Sequence, residues 1–308
     1  MAATRYDVVI IGGGPAGLSA GIYAARSRLS TLMIEKEIIG GNIVNAEVVE
    51  NYPGFPDGVG GYDLTQWMHK QATKFGMETL TAEVTGLTVD GGAKTVKTSE
   101  GDFAAGAVII AGGSTRQKLG VPGEKELTGR GVSYCATCDA AFFVDKPVAV
   151  VGGGNAAVYE ALHIAKFASG VAVIHRRNEL RATKIVQERA FAEPKIKFVW
   201  NSTVQSIEGT DKVRDVRLKD VVTGQESVMT VDGIFVSIGF KPNTDYLRGI
   251  LNISPEGYVV VNDRMETGVP GIYAAGDIRS NSIRQVISAC GDGATAAVYA
   301  DRYLGEKK

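Results

Sequence analysis

Apolar residues in this chain gather in short unbroken runs, and the most regular of these runs end in glycine. Tyr6-Asp7-Val8-Val9-Ile10-Ile11 leads into Gly12-Gly13-Gly14-Pro15-Ala16-Gly17. At an offset of 140 residues, Lys146-Pro147-Val148-Ala149-Val150-Val151 leads into Gly152-Gly153-Gly154-Asn155-Ala156-Ala157. A continuous apolar run bounded by turn residues predicts a strand buried on both faces, and the Ala- and Leu-rich stretch after each turn predicts a helix. The next runs, Thr31-Leu32-Met33-Ile34-Glu35 and Ala172-Val173-Ile174-His175, keep the correspondence. Each repeat is a βαβ unit, and two of them predict an α/β chain of two doubly wound, Rossmann-like dinucleotide-binding domains.

Between the repeats the pattern changes. Met77 to Thr98 alternates apolar and polar residues around Asp90-Gly91-Gly92, and Phe198 to Val231 does so around Thr223-Gly224, which predicts an added antiparallel element in each domain. Ala107 to Ala111 and Gly271 to Ala275 are further buried strands, ending in Gly112-Gly113 and Gly276-Asp277, and a long helical pattern runs from about Ile283 to Tyr303. Ser114 to Gly123 and Gly239 to Tyr246 have no clear period and bracket the second repeat. The second domain is therefore expected to be inserted into the first, residues 116–245 within 1–115 and 246–308, on two linkers that could serve as a hinge.

A length of 308 residues suits two domains better than one core. Thirty-three basic and 34 acidic residues give no electrostatic case for nucleic acid or an anionic membrane. Val8 to Ala25 is uncharged for eighteen residues, but Gly12-Gly13-Gly14-Pro15 interrupts it, so strand, loop and helix are expected rather than a membrane span. Three cysteines are too few for a disulfide framework and fit a reducing cytoplasm.

The candidate chemistry lies in three places. Gly12, Gly14 and Gly17 have the spacing that admits a pyrophosphate against bare backbone, and Glu35 ends the next strand, where a carboxylate accepts from ribose hydroxyls. At the matching place in the second repeat stand His175, Arg176 and Arg177, with Arg181 beyond, the change expected for a 2′-phosphate. Cys135-Ala136-Thr137-Cys138-Asp139 lies just before the second loop, two thiols able to close a small ring beside a carboxyl able to carry protons. A helix over Cys135 to Phe143 would lower a thiol's proton affinity through its dipole. Zinc is not expected, because Cys290, His69, His163 and His175 form no second ligand pair. Cys290 reads as a packed small residue.

Gly40-Gly41-Asn42, Glu50 to Phe55, Tyr134 to Phe143, His175 to Ala182, Gly239 to Thr244, Ala275-Gly276-Asp277 and Arg284-Gln285 together resemble low-molecular-weight, bacterial-type thioredoxin reductases of the class II pyridine nucleotide-disulfide oxidoreductases, over nearly the whole chain. The resemblance implies FAD in the first domain, on Gly12, Gly14, Pro15, Ala16, Gly17, Glu35, Lys36, Gly40, Gly41, Asn42, Asn51, Val84, Ala111, Gly112, Gly276, Asp277, Arg284, Gln285 and Val286. Asp277 would bind the ribityl chain, and Arg284 and Gln285 would lie along the isoalloxazine. It implies NADPH in the second domain, on Gly152, Gly154, Asn155, Ala156, Ala157, His175, Arg176, Arg177, Arg181, Ile238 and Gly239. Asn178 replaces the family's usual Asp and Ala156 its usual Ser or Thr, changes that would weaken NADPH binding.

By the same resemblance Cys138 would face the flavin, Cys135 would attack the partner disulfide and Asp139 would give and take the proton. Arg130, Phe142 and Phe143 would help dock thioredoxin, and the chain would form a homodimer. The expected activity is NADPH-dependent reduction of a thioredoxin-like disulfide through FAD and Cys135–Cys138. Because dithiol and NADPH loop share a domain yet serve one flavin, that domain is expected to rotate between half-reactions. A flavin-dependent dithiol oxidase that does not use NADPH, and a non-catalytic dinucleotide-binding redox sensor, stay open as alternatives.

Overall fold

The computed structural model describes residues 4–46 and 48–307, without the side chain of Cys138. Two compact units make up the chain, Met1–Thr115 with Lys241–Lys308, and Arg116–Phe240. The return crossing falls five residues before the 245/246 boundary expected from sequence. Asn243 explains the difference: its backbone N–H donates to the Gly113 carbonyl at 3.1 Å and its side chain to that of Gly112 at 2.8 Å, which ties 241–245 to the first unit.

In the first unit, β1 (Thr4–Ile11) ends in four buried aliphatic residues and turns at Gly12, where φ is +106°. Pro15 opens α1 (Pro15–Arg26), a position that needs no N–H, and β2 (Thr31–Glu35) returns parallel to β1. α2 (Gly61–Lys74) then leads to β3 (Glu78–Thr81), parallel to β2. The alternating stretch is thus divided: Glu78–Thr81 extends the parallel sheet, because a helical crossover precedes it, and only β4 (Val84–Asp90) and β5 (Ala93–Thr98) form the antiparallel hairpin. β6 (Gly101–Ile110) serves both, antiparallel to β5 with its first half and parallel to β1 along its length. β7 (Ser114–Arg116) carries the chain out of the unit.

The second unit is wound in the same sense. β8 (Val132–Ser133) is followed by a single turn, α3 (Ala136–Asp139), and a 3₁₀ turn over Ala140–Phe143. β9 (Pro147–Val151), α4 (Asn155–Ala165) and β10 (Gly170–Ile174) form the second βαβ unit. α5 (Lys184–Ala192) leads to β11 (Ile196–Val199). β12 (Ser202–Glu208), β13 (Asp215–Asp220) and β14 (Glu226–Thr230) make a separate antiparallel sheet, with Gly224 at φ +75° turning between the last two. β15 (Gly233–Val236) closes the parallel sheet in the order β11-β10-β9-β15-β8.

β16 (Phe240–Pro242) brings the chain back, and β17 (Ile272–Ala274) adds to the first sheet parallel to β6. α6 (Val286–Gly305) begins three residues later than the periodicity suggests. Arg284 has φ +56°, which a helix cannot continue through, and Gln285 caps the helix in a reciprocal pair with Ser288. α6 lies so close to α1 that a Cβ on Gly293 would overlap the Ala16 carbonyl oxygen.

Candidate functional site

The first loop is shaped to take a diphosphate. A Cβ on Gly12 would overlap the Ala111 carbonyl, and one on Gly17 the Gly12 carbonyl oxygen, whereas Gly14 faces open space. No side chain caps α1, so its first-turn N–H groups at Ala16 and Gly17 point outward unclaimed, as a phosphate site requires. Glu35 is positioned in advance: Gly13 N–H donates to Oε2 at 2.8 Å and Glu37 N–H to Oε1 at 3.0 Å, leaving lone pairs on both oxygens for ribose hydroxyls. Lys36 pairs with Glu37 on the surface, and Gly40 N–H donates to Gly13 O at 2.8 Å, which brings Gly40 and Gly41 beside the loop. Asn42 Nδ2 donates to Ser114 O at 2.8 Å, Ala111 N–H donates to Ile11 O at 2.7 Å, and Val84 sits at the bulge that begins β4.

Burial raises the proton affinity of the Asp277 carboxyl above the ordinary range, with Ser282 Oγ–H donating to Oδ1 at 3.1 Å in opposition. Sequence reasoning missed the brace behind it. Asp292 on α6 accepts from Arg279 Nε at 2.7 Å, Arg279 Nη2 at 2.8 Å and Gly276 N–H at 3.0 Å, with both side chains largely buried. Asn51 Nδ2 donates to Gln285 Oε1 at 2.8 Å, beside Val286 at the head of α6, and Arg284 donates to the Tyr258 hydroxyl at 2.6 Å. The Tyr246 hydroxyl near Gly112 is buried without a hydrogen-bond partner, and burial pushes its pKa up. Open backbone at Gly14, a buried carboxyl at Asp277 and this orphaned hydroxyl are features that FAD's phosphates and polyol would satisfy. Cys290 is buried and free, with Sγ against Pro15 O and the Tyr52 hydroxyl, and burial raises its pKa, which disfavours the reactive thiolate.

In the second unit a Cβ on Gly152 would overlap the Ser237 carbonyl oxygen, with Ile238 and Gly239 (φ +122°) following that strand end, while Gly154 again faces open space. α4 also lacks a side-chain cap, freeing the N–H groups of Asn155, Ala156 and Ala157. Asn155 also ties the loop to the segment beyond β10. Its Oδ1 accepts from Thr183 N–H at 2.7 Å, while Arg181 N–H donates to Gly153 O at 2.7 Å, so the basic segment is stitched to the loop. Arg176, Arg177 and Arg181 are exposed. His175 is not one of this exposed cluster. It is 4% exposed, its ring lies over Gly153 where a Cβ would overlap it, and Nε2 has no partner. Burial first, and Arg181 second, depress its pKa, so it is neutral packing under the loop.

Cys135 is disulfide-bonded. The role of Cys138 falls on a side chain outside the described residues. Asp139 N–H donates to Cys135 O at 3.1 Å, and the Asp139 carboxyl is 2.6 Å from Ser133 Oγ. The expected helix over Cys135–Phe143 is one α turn and one 3₁₀ turn, too short to carry an appreciable dipole. Ser133 and Asp139 line a cleft of about 260 Å³ with Arg130, Phe142, Phe143, Lys146, Lys212 and Asp232. Phe142 is 72% exposed, whereas Phe143 is core, edge-on to Phe235 at 5.4 Å. Next to Ser133 in sequence, the Tyr134 hydroxyl donates at 2.7 Å to Glu124, which is 3% exposed and also accepts from two backbone N–H groups, a support no sequence motif announced. Among the described residues no cluster of His, Cys, Asp and Glu could hold a metal ion, and no helix is long and apolar enough to cross a membrane.

Residues 6–293 match the family described as pyridine nucleotide-disulphide oxidoreductase. A thioredoxin reductase of Bacillus subtilis is 50% identical over 98% of this chain and 95% of its own length. One from Peptoclostridium acidaminophilum is 46% identical over 97% of both. The crystal structure of Lactococcus lactis thioredoxin reductase superposes with a TM-score of 0.95 at 41% identity, covering 98% of this chain and 99% of that one. The crystal structure of T. acidophilum thioredoxin reductase gives 0.92 at 35% identity over 99% of both. The resemblance first seen in scattered motifs extends over nearly the whole length, and the chain belongs to the pyridine nucleotide-disulphide oxidoreductase family, among its low-molecular-weight thioredoxin reductases.

Proposed function

We propose that this chain reduces the disulfide of a thioredoxin with electrons from NADPH, through FAD and the Cys135–Cys138 pair. The observation that carries the reading is the conjunction in one chain of two uncapped Gly-loop helices with a disulfide-bonded Cys135 beside Asp139. When bound, NADPH supplies a hydride and FAD a two-electron carrier between it and the disulfide. Gly12, Gly14 and Gly17 with Ala16 N–H would hold the FAD diphosphate, Glu35 its ribose and Asp277 its polyol. The exposed guanidinium groups of Arg176, Arg177 and Arg181 would grip a 2′-phosphate, and they favour this reading over an oxidase that needs no NADPH.

In the partner's reduction, the Cys135 thiolate attacks one sulfur of the partner disulfide, forming a mixed disulfide and expelling a thiolate that takes a proton. Cys138 then displaces the partner, so two electrons and two protons have passed to it. Asp139 stores the proton that one of these steps requires. Since the nucleotide loop and the dithiol lie on the same unit, that unit would present them to the flavin in turn. Cytoplasmic location and a homodimer are part of the same proposal. The test is turnover of FAD-loaded protein with NADPH, then NADH, against a panel of thioredoxins. Turnover with NADPH that Cys135→Ser abolishes supports the reading; no reduction of any thioredoxin by either cofactor refutes it.

A further inference from the structure

We propose that Ser133 is the positioning residue for Asp139, its hydroxyl pointing to the carboxylate when Asp139 is ionised and to the Cys135 carbonyl when Asp139 holds a proton. The inference rests on the reading of Asp139 as the proton carrier of the dithiol.

Ser133 ends β8 and is 5% exposed, so its hydroxyl must find partners within the protein. Among the described residues, Oγ lies within hydrogen-bond distance of Asp139 Oδ2 at 2.6 Å, the Cys135 N–H at 3.1 Å and the Cys135 carbonyl oxygen at 3.3 Å. The hydroxyl has one hydrogen to give and two acceptors to choose between. Beside an ionised Asp139 that hydrogen goes to Oδ2, the shorter and charge-assisted bond. Cys135 N–H meanwhile donates into Oγ, and a hydroxyl that accepts is a better donor, so the chain from Cys135 N–H through Ser133 to Asp139 is aligned in one direction. Once Asp139 is protonated at Oδ2, that proton donates into Oγ and the hydroxyl hydrogen turns to the Cys135 carbonyl. Both states keep their hydrogen bonds without displacement of a heavy atom. The ionised state has the shorter, charge-assisted bond, and the hydroxyl keeps a partner in either state.

The proton balance follows from the dithiol chemistry. Reduction of the disulfide takes two electrons from the flavin and two protons, and Asp139 gives one of the protons to a departing thiolate. The carboxylate left behind is the form Ser133 holds, and it is refilled from a thiol when the partner disulfide is reduced. Among the described residues, the other titratable and charged groups facing the same cleft are Arg130, Lys146, Lys212 and Asp232, with Cys135 on the adjoining turn. Arg130 donates to Glu126 O, Lys146 to Phe142 O at 3.2 Å, and Lys212 pairs with Asp232 at 3.3 Å. Those interactions do not involve Ser133, so a change at Ser133 leaves the background field in place.

The experiment is the pH profile of kcat/KM for a thioredoxin disulfide, with FAD-loaded full-length protein at saturating NADPH, for wild type, Ser133→Ala, Ser133→Gly, Ser133→Thr and Asp139→Asn. The limb that Asp139→Asn removes should move up by about 0.7 pH unit in Ser133→Ala, roughly a fivefold change in the protonation constant, because a bond to the charged form is gone. Ser133→Thr, which keeps the hydroxyl, should restore it. If Ser133→Ala loses native circular dichroism, Ser133→Gly carries the same expectation. A limb that stays within about 0.2 unit in the hydroxyl-free variants overturns the role of Ser133, even if their melting temperatures fall, while Asp139 keeps its own. A limb that persists unmoved in Asp139→Asn defeats the reading of Asp139, and this inference with it.

Discussion

Replacing Arg181 by Ala isolates the part of nucleotide recognition that depends on phosphate charge. The Arg181 backbone N–H holds Gly153 O at 2.7 Å and remains in the variant, so the loop keeps its stitch and only an exposed guanidinium is lost. A hydrogen bond to a charged group contributes about 1.5–3 kcal/mol, which converts to roughly tenfold to 150-fold. Exposure and salt push the expectation to the lower end, since the Debye length is about 8 Å at physiological ionic strength. Arg181→Ala should therefore lower the ratio of kcat/KM for NADPH to that for NADH by about tenfold, and the triple change at Arg176, Arg177 and Arg181 by about a hundredfold or more. NADH is the internal control, because it lacks the 2′-phosphate but uses the same loop. Raising the salt concentration should erode the NADPH advantage of wild type and leave the triple variant nearly flat. A triple variant whose ratio stays within about twofold of wild type would rule out phosphate recognition by these arginines, and an equal loss for both cofactors would show that the arginines merely support the fold.

Other consequences follow from the buried polar groups. Asp292→Asn leaves Arg279 buried with an uncompensated charge and should cost about 3–5 kcal/mol in the first unit, read as a lowered denaturant midpoint and faster FAD release; a loss below about 1 kcal/mol would contradict the brace. Tyr246→Phe removes a buried hydroxyl without a protein partner, so it should leave FAD-stripped protein as stable or more so while weakening FAD retention several-fold. Retention equal to wild type would remove Tyr246 from the flavin site. His175 has a folded pKa below its unfolded value near 6.5, so the unfolded chain binds the extra proton first. Its contribution to the second unit is complete above about pH 6.5 and is lost as pH falls below that value. His175→Gln should flatten that dependence in a urea titration, and an unchanged slope would count against a neutral buried imidazole.

The two Gly loops and their strands could be read from sequence because three local signals coincide there: an unbroken apolar run, a glycine spacing and a following Ala-rich helix. His175 shows where such reading ends. Its alignment with Glu35 places it just after β10, but the ring's position over Gly153 depends on two segments meeting in space. Asp292 and Arg279 are thirteen residues apart with no motif between them, and Ser133 belongs to a two-residue strand too short to register in any pattern. Glu78–Thr81 alternates as an antiparallel strand would, and only the preceding crossover helix sets it parallel to β2. Phe142 and Phe143 are adjacent and chemically alike, yet one is exposed and the other core, a distinction made by Gly233, which leaves room for the Phe143 ring.

On the proposed function, electrons from NADPH reach the Cys135 disulfide as well as the flavin. Anaerobic titration of FAD-loaded protein with NADPH, followed by flavin absorbance and by thiol count after acid quench, tests it most directly. The end-point should lie near two equivalents of NADPH per chain with about two new thiols, and near one equivalent in Cys135→Ser. A wild-type end-point near one equivalent, with the flavin bleached and no new thiols, would contradict it.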